Sequence, residues 1–212
     1  MSVDQLADAV REQLAPGPVL PLGEADDGTW ITEHAAVVVL RRAAHGRAVG
    51  GRVRLGALRI GLAAGSGPGV PADAPPGSLP RRPLRIEAAF EASPERPLPD
   101  TADRLRHALW DSAREGIGLA VTVVDLTVTG LLDDGDTAGP GPAAAPAIES
   151  PSPGRPSAPG TVAVPGVARL TSRLGGFGSG VQIAVAAGYR PLDVARAVRA
   201  TVGAPVVVTD IG

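Results

Sequence analysis

Apolar residues recur at every second position in several segments, which is the spacing of a β-strand with one buried face. In the clearest segment Leu84, Ile86, Ala88 and Phe90 alternate with charged or smaller residues. A similar alternation changes phase at Gly56-Ala57, and a glycine at such a point predicts a β-bulge. The alternating and valine-rich segments together predict five strands, at 52–62, 84–91, 119–128, 181–187 and 205–211.

Other segments carry apolar residues at the three- and four-residue spacing of an amphipathic helix. One run, 35–40, is apolar nearly all round, and we expect its helix to be well buried. In another segment Ala102, Leu105, Leu109 and Ala113 fall on one helical face. The spacing predicts four helices, at 3–14, 32–44, 99–114 and 191–202.

The predicted elements occur twice in the same order. A strand, a turn, an amphipathic helix and a valine-rich strand follow one another over 84–128 and again over 181–211. The same tripeptide stands at the matching turn of both copies, as Arg96-Pro97-Leu98 and as Arg190-Pro191-Leu192. The repeat predicts an α+β fold of two small helix-strand-strand-helix-strand units. The second unit is degenerate, because its sequence offers no convincing first strand.

Glycine and proline set the predicted boundaries of these units. The chain contains 28 Gly and 22 Pro, about twice the usual share of roughly 12%. Two stretches rich in these residues lack apolar periodicity, which is typical of a flexible or disordered segment. We predict an N-terminal helix and connection at 1–18, a first unit at 19–132 with an irregular, disordered insertion at 63–80, a flexible linker at 133–160 and a second unit at 161–212.

The two copies resemble the alkaline-shock protein family, small bacterial proteins tied to envelope stress. In that family a strand leads through a proline-containing turn into the second helix, which carries spaced valine and alanine and precedes an alternating, valine-rich strand. The pattern is present here at 96–128 and again at 189–211, while Pro165-Gly166-Val167 is similar to the Gly-Val step after the family's first helix. The resemblance implies a role in envelope stress, and it implies no catalytic residues.

The residue types that are missing exclude several kinds of chemistry. The chain has no Cys, no Lys and no Asn, which excludes disulfides, thiolate nucleophiles, Schiff bases and Walker-type phosphate loops. His34, His45 and His107 lack metal-ligand spacing, and no serine lies in a Gly-x-Ser-x-Gly turn. We therefore predict a protein that is not an enzyme and uses no cofactor, metal or small-molecule substrate.

Charge is distributed unevenly along the chain. Residues 1–40 contain seven acids and one arginine, whereas 41–85 contain nine arginines and one acid. Such a basic stretch can bind phosphate, or it can neutralise the acidic helices of the same chain. With five aromatic residues in all, base-stacking platforms are nearly excluded, and we favour neutralisation. The candidate surface for an anionic partner comprises Arg52, Arg54, Arg81, Arg82 and Arg85.

These observations favour a non-enzymatic interaction or scaffold protein of the cytoplasm that binds protein partners, including partners at the membrane. No apolar run approaches the ~18 residues that cross a bilayer, and the first residues carry acids where a signal peptide is basic. Self-association into a homo-oligomer is a further expectation. The alternative is a nucleic-acid-binding module that uses the arginine-rich stretch 41–85, and a weaker one is an enzyme with its site between the two units.

Overall fold

The structure, a computed structural model, describes residues 17–46, 49–50, 52–132, 164–175 and 180–212. Over these residues it contains three α-helices and eight strands in two sheets, which is the α+β class that the sequence predicts. The helix predicted at 3–14 and the linker predicted at 133–160 lie outside the described residues.

The elements follow one another in an order that is close to the predicted one. The strands are β1 (Val19–Leu22), β2 (Thr29–Thr32), β3 (Val53–Leu62), β4 (Leu84–Ala92), β5 (Val121–Leu131), β6 (Val167–Leu170), β7 (Val181–Val185) and β8 (Val206–Ile211). The helices are α1 (Glu33–Ala44), α2 (Leu98–Asp111) and α3 (Pro191–Val202). A 3₁₀ turn occupies Ala25–Asp27, and α2 continues into a π-helical segment, Ser112–Ile117.

The predicted repeat has the same topology in both sheets. In the smaller sheet β3 is antiparallel to β4, α2 crosses over, and β5 lies parallel to β4. In the larger sheet β6, β7, α3 and β8 repeat this order and these directions. The predicted bulge in β3 is confirmed, since its register with β4 shifts between Leu55 and Leu58.

The second copy has a first strand after all, so the expectation that it lacks one is wrong. That strand is β6, and it is only four residues long. Its register with β7 shifts between Val167 and Arg169, and this shift interrupts the alternation of apolar and polar residues that is typical of a strand.

Two further strands, β1 and β2, extend the larger sheet, and neither is predicted. The strand order is β1-β2-β8-β7-β6, with β2 parallel to β8. Residues 19–32, which the sequence assigns to the first unit, therefore share a sheet with 167–211. Every residue of β1 and β2 is buried, and a strand that is covered on both faces has no polar alternation to reveal it.

The connection at 63–80 has defined contacts, in contrast to the disorder that its composition predicts. The Val19 N–H donates to the Gly77 carbonyl at 3.1 Å, and the Leu79 N–H donates to the Val19 carbonyl at 2.8 Å. Ala74 packs against a small cluster formed by Val19, Trp30 and Val207 on one face of the larger sheet. Main-chain bonds, the packing of Ala74 and Leu79, and a bond from Arg82 to the Gly65 carbonyl hold this loop, and none of them requires a periodic sequence.

Helix α1 contacts both sheets, as well as α2 and the π-helical segment. One continuous cluster of buried apolar side chains draws on the helices and on both sheets. The apolar run of α1 is only partly buried all round, so the prediction for this helix is confirmed in part. Three of its residues are fully buried (Ala35, Ala36 and Leu40), whereas residues 37–39 are half-buried.

The start of α1 is bonded to both sheets. Thr32 at the end of β2 caps the helix, because its hydroxyl accepts the Ala35 N–H at 3.3 Å. The same hydroxyl lies 3.4 Å from the Thr209 carbonyl in β8. Glu33, only 6% exposed, accepts the main-chain N–H of Ile60 in β3 at 2.8 Å.

The end of α1 is held in the same way. Arg41 donates to the carbonyls of Leu55 and Gly56, at 3.2 and 2.7 Å, and so binds the bulge of β3. Arg42 donates to the carbonyl of Gly212, which follows β8, at 2.7 Å. Polar bonds from one helix therefore fix the smaller sheet relative to the larger one.

The two copies also touch where the π-helical segment ends, at Gly118. This residue has φ 104°, a conformation that favours glycine. A Cβ at this position would lie 2.6 Å from Cδ2 of Leu192 in α3. The Gly118 carbonyl accepts the Gly23 N–H at 3.1 Å, so this glycine allows the first copy to approach both α3 and the turn after β1.

Leu105 of α2 is fully buried in the shared cluster, on the face that the sequence predicts. We expect Leu105→Ala to lower the free energy of unfolding by about 2–5 kcal/mol, because it removes buried methyl groups and leaves a cavity. Urea unfolding followed by circular dichroism measures this change. Arg104→Ala, at the exposed neighbouring position, is the control and should change stability little. Equal stability of the two variants would show that this face of α2 is not packed.

Candidate functional site

Two of the five predicted anion-binding arginines lie on the outer face of the smaller sheet, where carboxylates pair with them. Arg54 of β3 donates to Glu91 of β4 at 2.9 Å. Arg85 of β4 donates to Asp125 of β5 at 2.5 Å and lies 3.3 Å from Glu87. The hydrogen bond that Arg85 donates to Asp125 raises the pKa of Arg85 above its ordinary value. Positive charge on this face is therefore balanced across neighbouring strands.

Arg81 is used inside the fold. Its guanidinium lies 5.1 Å from the centre of the Trp30 ring, in cation–π contact. It also donates to the carbonyls of Glu24 at 2.8 Å and of Thr29 at 3.5 Å. Burial lowers the pKa of Arg81 below its ordinary value, although an arginine remains a cation at any physiological pH.

The remaining two arginines lie elsewhere. Arg82 donates to the Gly65 carbonyl within the 63–80 connection. Arg52, before β3, lines a small cleft of about 130 Å³ together with Glu95 and Arg96. The five arginines thus occupy three separate places: the cleft, the outer face of the smaller sheet, and the connection that leads into β4.

An ion pair that the sequence does not predict ties the first part of the chain to α3. Both carboxylate oxygens of Asp27 accept hydrogen bonds from Arg196, at 2.8 and 2.6 Å, and one also accepts the Glu24 N–H at 2.6 Å. The Arg196 bond holds the pKa of Asp27 below its ordinary value, and the pKa of Arg196 is raised in turn. Since 169 positions separate the pair in sequence, no local pattern could reveal it.

An open groove of about 530 Å³ lies between the two copies of the repeat. Its lining residues are Trp110, Asp111, Arg114, Glu115 and Arg190. Arg114 lies 5.4 Å from the centre of the Trp110 ring, and Arg190 donates to the Arg114 carbonyl at 3.2 Å. The groove can hold a polar ligand by charge, and its lining contains no Ser, Cys or His.

Among the described residues, large exposed apolar side chains are most numerous on β5, an edge strand of the smaller sheet. Large apolar side chains with substantial exposure are recorded at five described positions, Val70, Val123, Val128, Leu131 and Tyr189, of which three belong to β5. A strand edge with exposed apolar side chains is a common binding surface for another protein segment.

The inner face of β5 becomes more exposed along the strand. Val121 and Val124 are 1% and 6% exposed, whereas Val128 and Leu131 reach 43% and 57%. Val128 and Leu131 pair with Phe90 and Ala92 of β4, both fully buried, so they lie in the same inward row.

Within the described residues, no group of three or more His, Cys, Asp and Glu side chains could hold a metal ion. No helix among them is both long enough and apolar enough to cross a bilayer. In comparisons with family models, curated proteins and solved structures, no match to the chain was found.

We expect Asp27→Asn to lower the free energy of unfolding by about 1 kcal/mol at neutral pH, since Arg196 is 44% exposed and solvent screens the pair. The folded-state pKa of Asp27 lies below the ordinary 3.8. The pair therefore stabilises the fold above about pH 3.8, and this contribution is lost as pH falls through the folded-state pKa.

Urea unfolding of wild type and Asp27→Asn between pH 7 and pH 3 measures this difference. The gap between the two proteins should narrow at the acid end. Asp26→Asn, which removes an exposed charge next to Asp27, is the control and should show a smaller gap at neutral pH. A gap for Asp27→Asn that stays constant over the whole range would contradict a role for its ionised carboxylate.

Proposed function

We propose that the protein is a non-enzymatic interaction protein and that it binds a protein partner through β5. The observation that carries this proposal is the concentration of exposed Val and Leu on one edge strand. An added strand bonds to the main chain of such an edge, while its apolar side chains pack on the exposed ones. Val128 and Leu131 are placed for this second contact.

The charge pattern supports a protein partner over nucleic acid. Phosphate binding needs arginines that point to solvent without a competing carboxylate, since each neutralised phosphate contributes to affinity. Arg54 and Arg85 are paired with Glu91 and Asp125, and Arg81 is bonded within the fold. A nucleic-acid function would have to break these pairs first.

The resemblance to alkaline-shock proteins supports a role in the envelope stress response. On this proposal the protein acts in the cytoplasm and reaches the membrane through its partner. The groove lined by Trp110 and Arg190 would then be part of a polar surface rather than a catalytic site.

Capture from a lysate of the native cell, with the membrane fraction retained, tests the role of β5. We expect wild-type protein to retain a partner and Val128→Glu to lose it, because a charge at this position opposes an apolar contact. Val70→Glu is the matched control, since Val70 is 50% exposed, similar to Val128, but lies in the 63–80 connection. Equal capture by both variants would contradict binding through β5.

Titration with a generic DNA duplex over a salt series tests the alternative. We expect weak binding that vanishes near physiological salt. Two results together would favour the nucleic-acid function instead. Binding would be tight and would fall steeply with salt, and the double substitution Arg52→Glu and Arg54→Glu would abolish it.

A further inference from the structure

Three of the four edges of the two sheets, within the described residues, carry features that protect them from pairing with another strand. Along β1, residues 77–79 of the connection bond to Val19. On β3, Glu33 and Arg41 bond to main-chain groups. The edge of β6 is protected because this strand is only four residues long and carries the charged Arg169.

On the edge of β5 the one bond from a side chain to the main chain recorded among the described residues goes from Arg106 to the Val124 carbonyl, at 3.4 Å. This strand is eleven residues long, and Asp125 is its one charged residue. Between the register shifts at its two ends, the stretch from Val123 to Val128 pairs regularly with β4. An edge of this length and composition is a template for a further strand.

The main-chain groups that face outward can be identified from the ladder. Neighbouring residues of a strand point their N–H and C=O groups to opposite sides. The Leu84 N–H donates to the Ala120 carbonyl and the Ala92 carbonyl accepts the Leu132 N–H, so alternate residues of β4, Ile86 among them, face β5.

Ile86 is the partner of Val124 in this parallel ladder and therefore bonds to the residues on either side of it, which leaves the N–H and C=O of Val124 on the outer side. There the Val124 carbonyl accepts a bond from Arg106 of α2 at 3.4 Å. By alternation Leu126 and Val128 also present their N–H and C=O groups outward.

The sequence of this stretch is complementary to itself. Val124-Asp125-Leu126-Thr127-Val128, read backwards, again places apolar residues at its first, third and fifth positions. In an antiparallel pair centred on Leu126, each Val124 lies opposite Val128 of the other copy, and each Asp125 carboxylate lies opposite a Thr127 hydroxyl. No like charges meet, whereas a shift that centres the pair on Asp125 would place two carboxylates opposite each other.

We infer that the partner at β5 is a second copy of this chain, bound antiparallel with Leu126 opposite Leu126. This inference rests on the proposed function, because it names the partner of the same surface. The outward groups of Val124, Leu126 and Val128 form about six main-chain hydrogen bonds across the pair. The bond from Arg106 to Val124 is replaced, and the two three-stranded sheets join into one continuous sheet.

Cysteine cross-linking tests this register, and the full chain suits the test because it contains no native Cys. Cα atoms of a hydrogen-bonded antiparallel pair lie about 5.5 Å apart, within the range of a disulfide. Under mild oxidation we expect Leu126→Cys to form a covalent dimer. Val123→Cys is the control, because in this register it lies opposite Thr129 and about 20 Å from its own copy.

Sedimentation equilibrium over a concentration series measures the association itself. We expect wild type to dimerise and Leu126→Pro to raise the dissociation constant by about tenfold or more, since it removes the outward N–H at the centre of the pair. The fold should survive, because that N–H bonds to nothing within the sheet and proline is tolerated on edge strands. Circular dichroism confirms folding of the variant.

Two results would overturn the inference. One is cross-linking of Val123→Cys as fast as Leu126→Cys, and the other is a wild-type protein that stays monomeric at every concentration. If a monomeric protein still captures a partner that Val128→Glu loses, β5 binds a different protein, and the proposed function stands without the dimer. If capture is also insensitive to Val128→Glu, both proposals fail.

Discussion

A hydrogen bond between Glu33 and Ile60 holds the two sheets together at one end of α1. The Glu33 carboxylate accepts the main-chain N–H of Ile60 in the smaller sheet, and Thr32, which directly precedes Glu33, belongs to the larger sheet. Arg41 makes the corresponding bonds at the other end, to the bulge of β3. A buried main-chain N–H that loses its acceptor costs about 1–3 kcal/mol, a large share of the stability of a small domain. The position of β3, and through it of β4 and β5, depends on this helix.

The consequence is a molecule in which the repeat of the sequence does not give two separate cores. Each copy builds its own strand-strand-helix-strand topology, yet α1 packs between them and β2 joins the sheet of the second copy. Gly118 lets the end of the π-helical segment approach Leu192 of α3, and Asp27 binds Arg196. Buried apolar side chains from both copies belong to one continuous cluster.

Elements with a local signal could be predicted from the sequence. The helix α3 begins at Pro191 and ends before Gly203, residue types that favour these positions, and β4 alternates because one of its faces is buried. The strands β1 and β2 could not be predicted, because both of their faces are covered and the parallel partner of β2, β8, lies at the far end of the chain.

The candidate site could be predicted only in part. A count of arginines along the chain indicates a basic surface, but Arg54 and Arg85 lie opposite carboxylates that the sequence places about forty residues away. For β5 the sequence shows an alternating strand. That this strand ends a sheet, and that Val128 is uncovered, follows from the topology.

The central claim is that the two copies share one core, and coincident unfolding tests it most directly. The chain has two tryptophans, Trp30 in the larger sheet and Trp110 in α2 of the first copy. Each single-tryptophan variant reports on one part of the chain: Trp110→Phe keeps the fluorescence of Trp30, and Trp30→Phe keeps that of Trp110. In both variants we expect the fluorescence to change at the same guanidinium concentration as the circular dichroism. A fluorescence midpoint clearly separated from the circular dichroism midpoint in either variant would show that the copies unfold independently and would contradict the shared core.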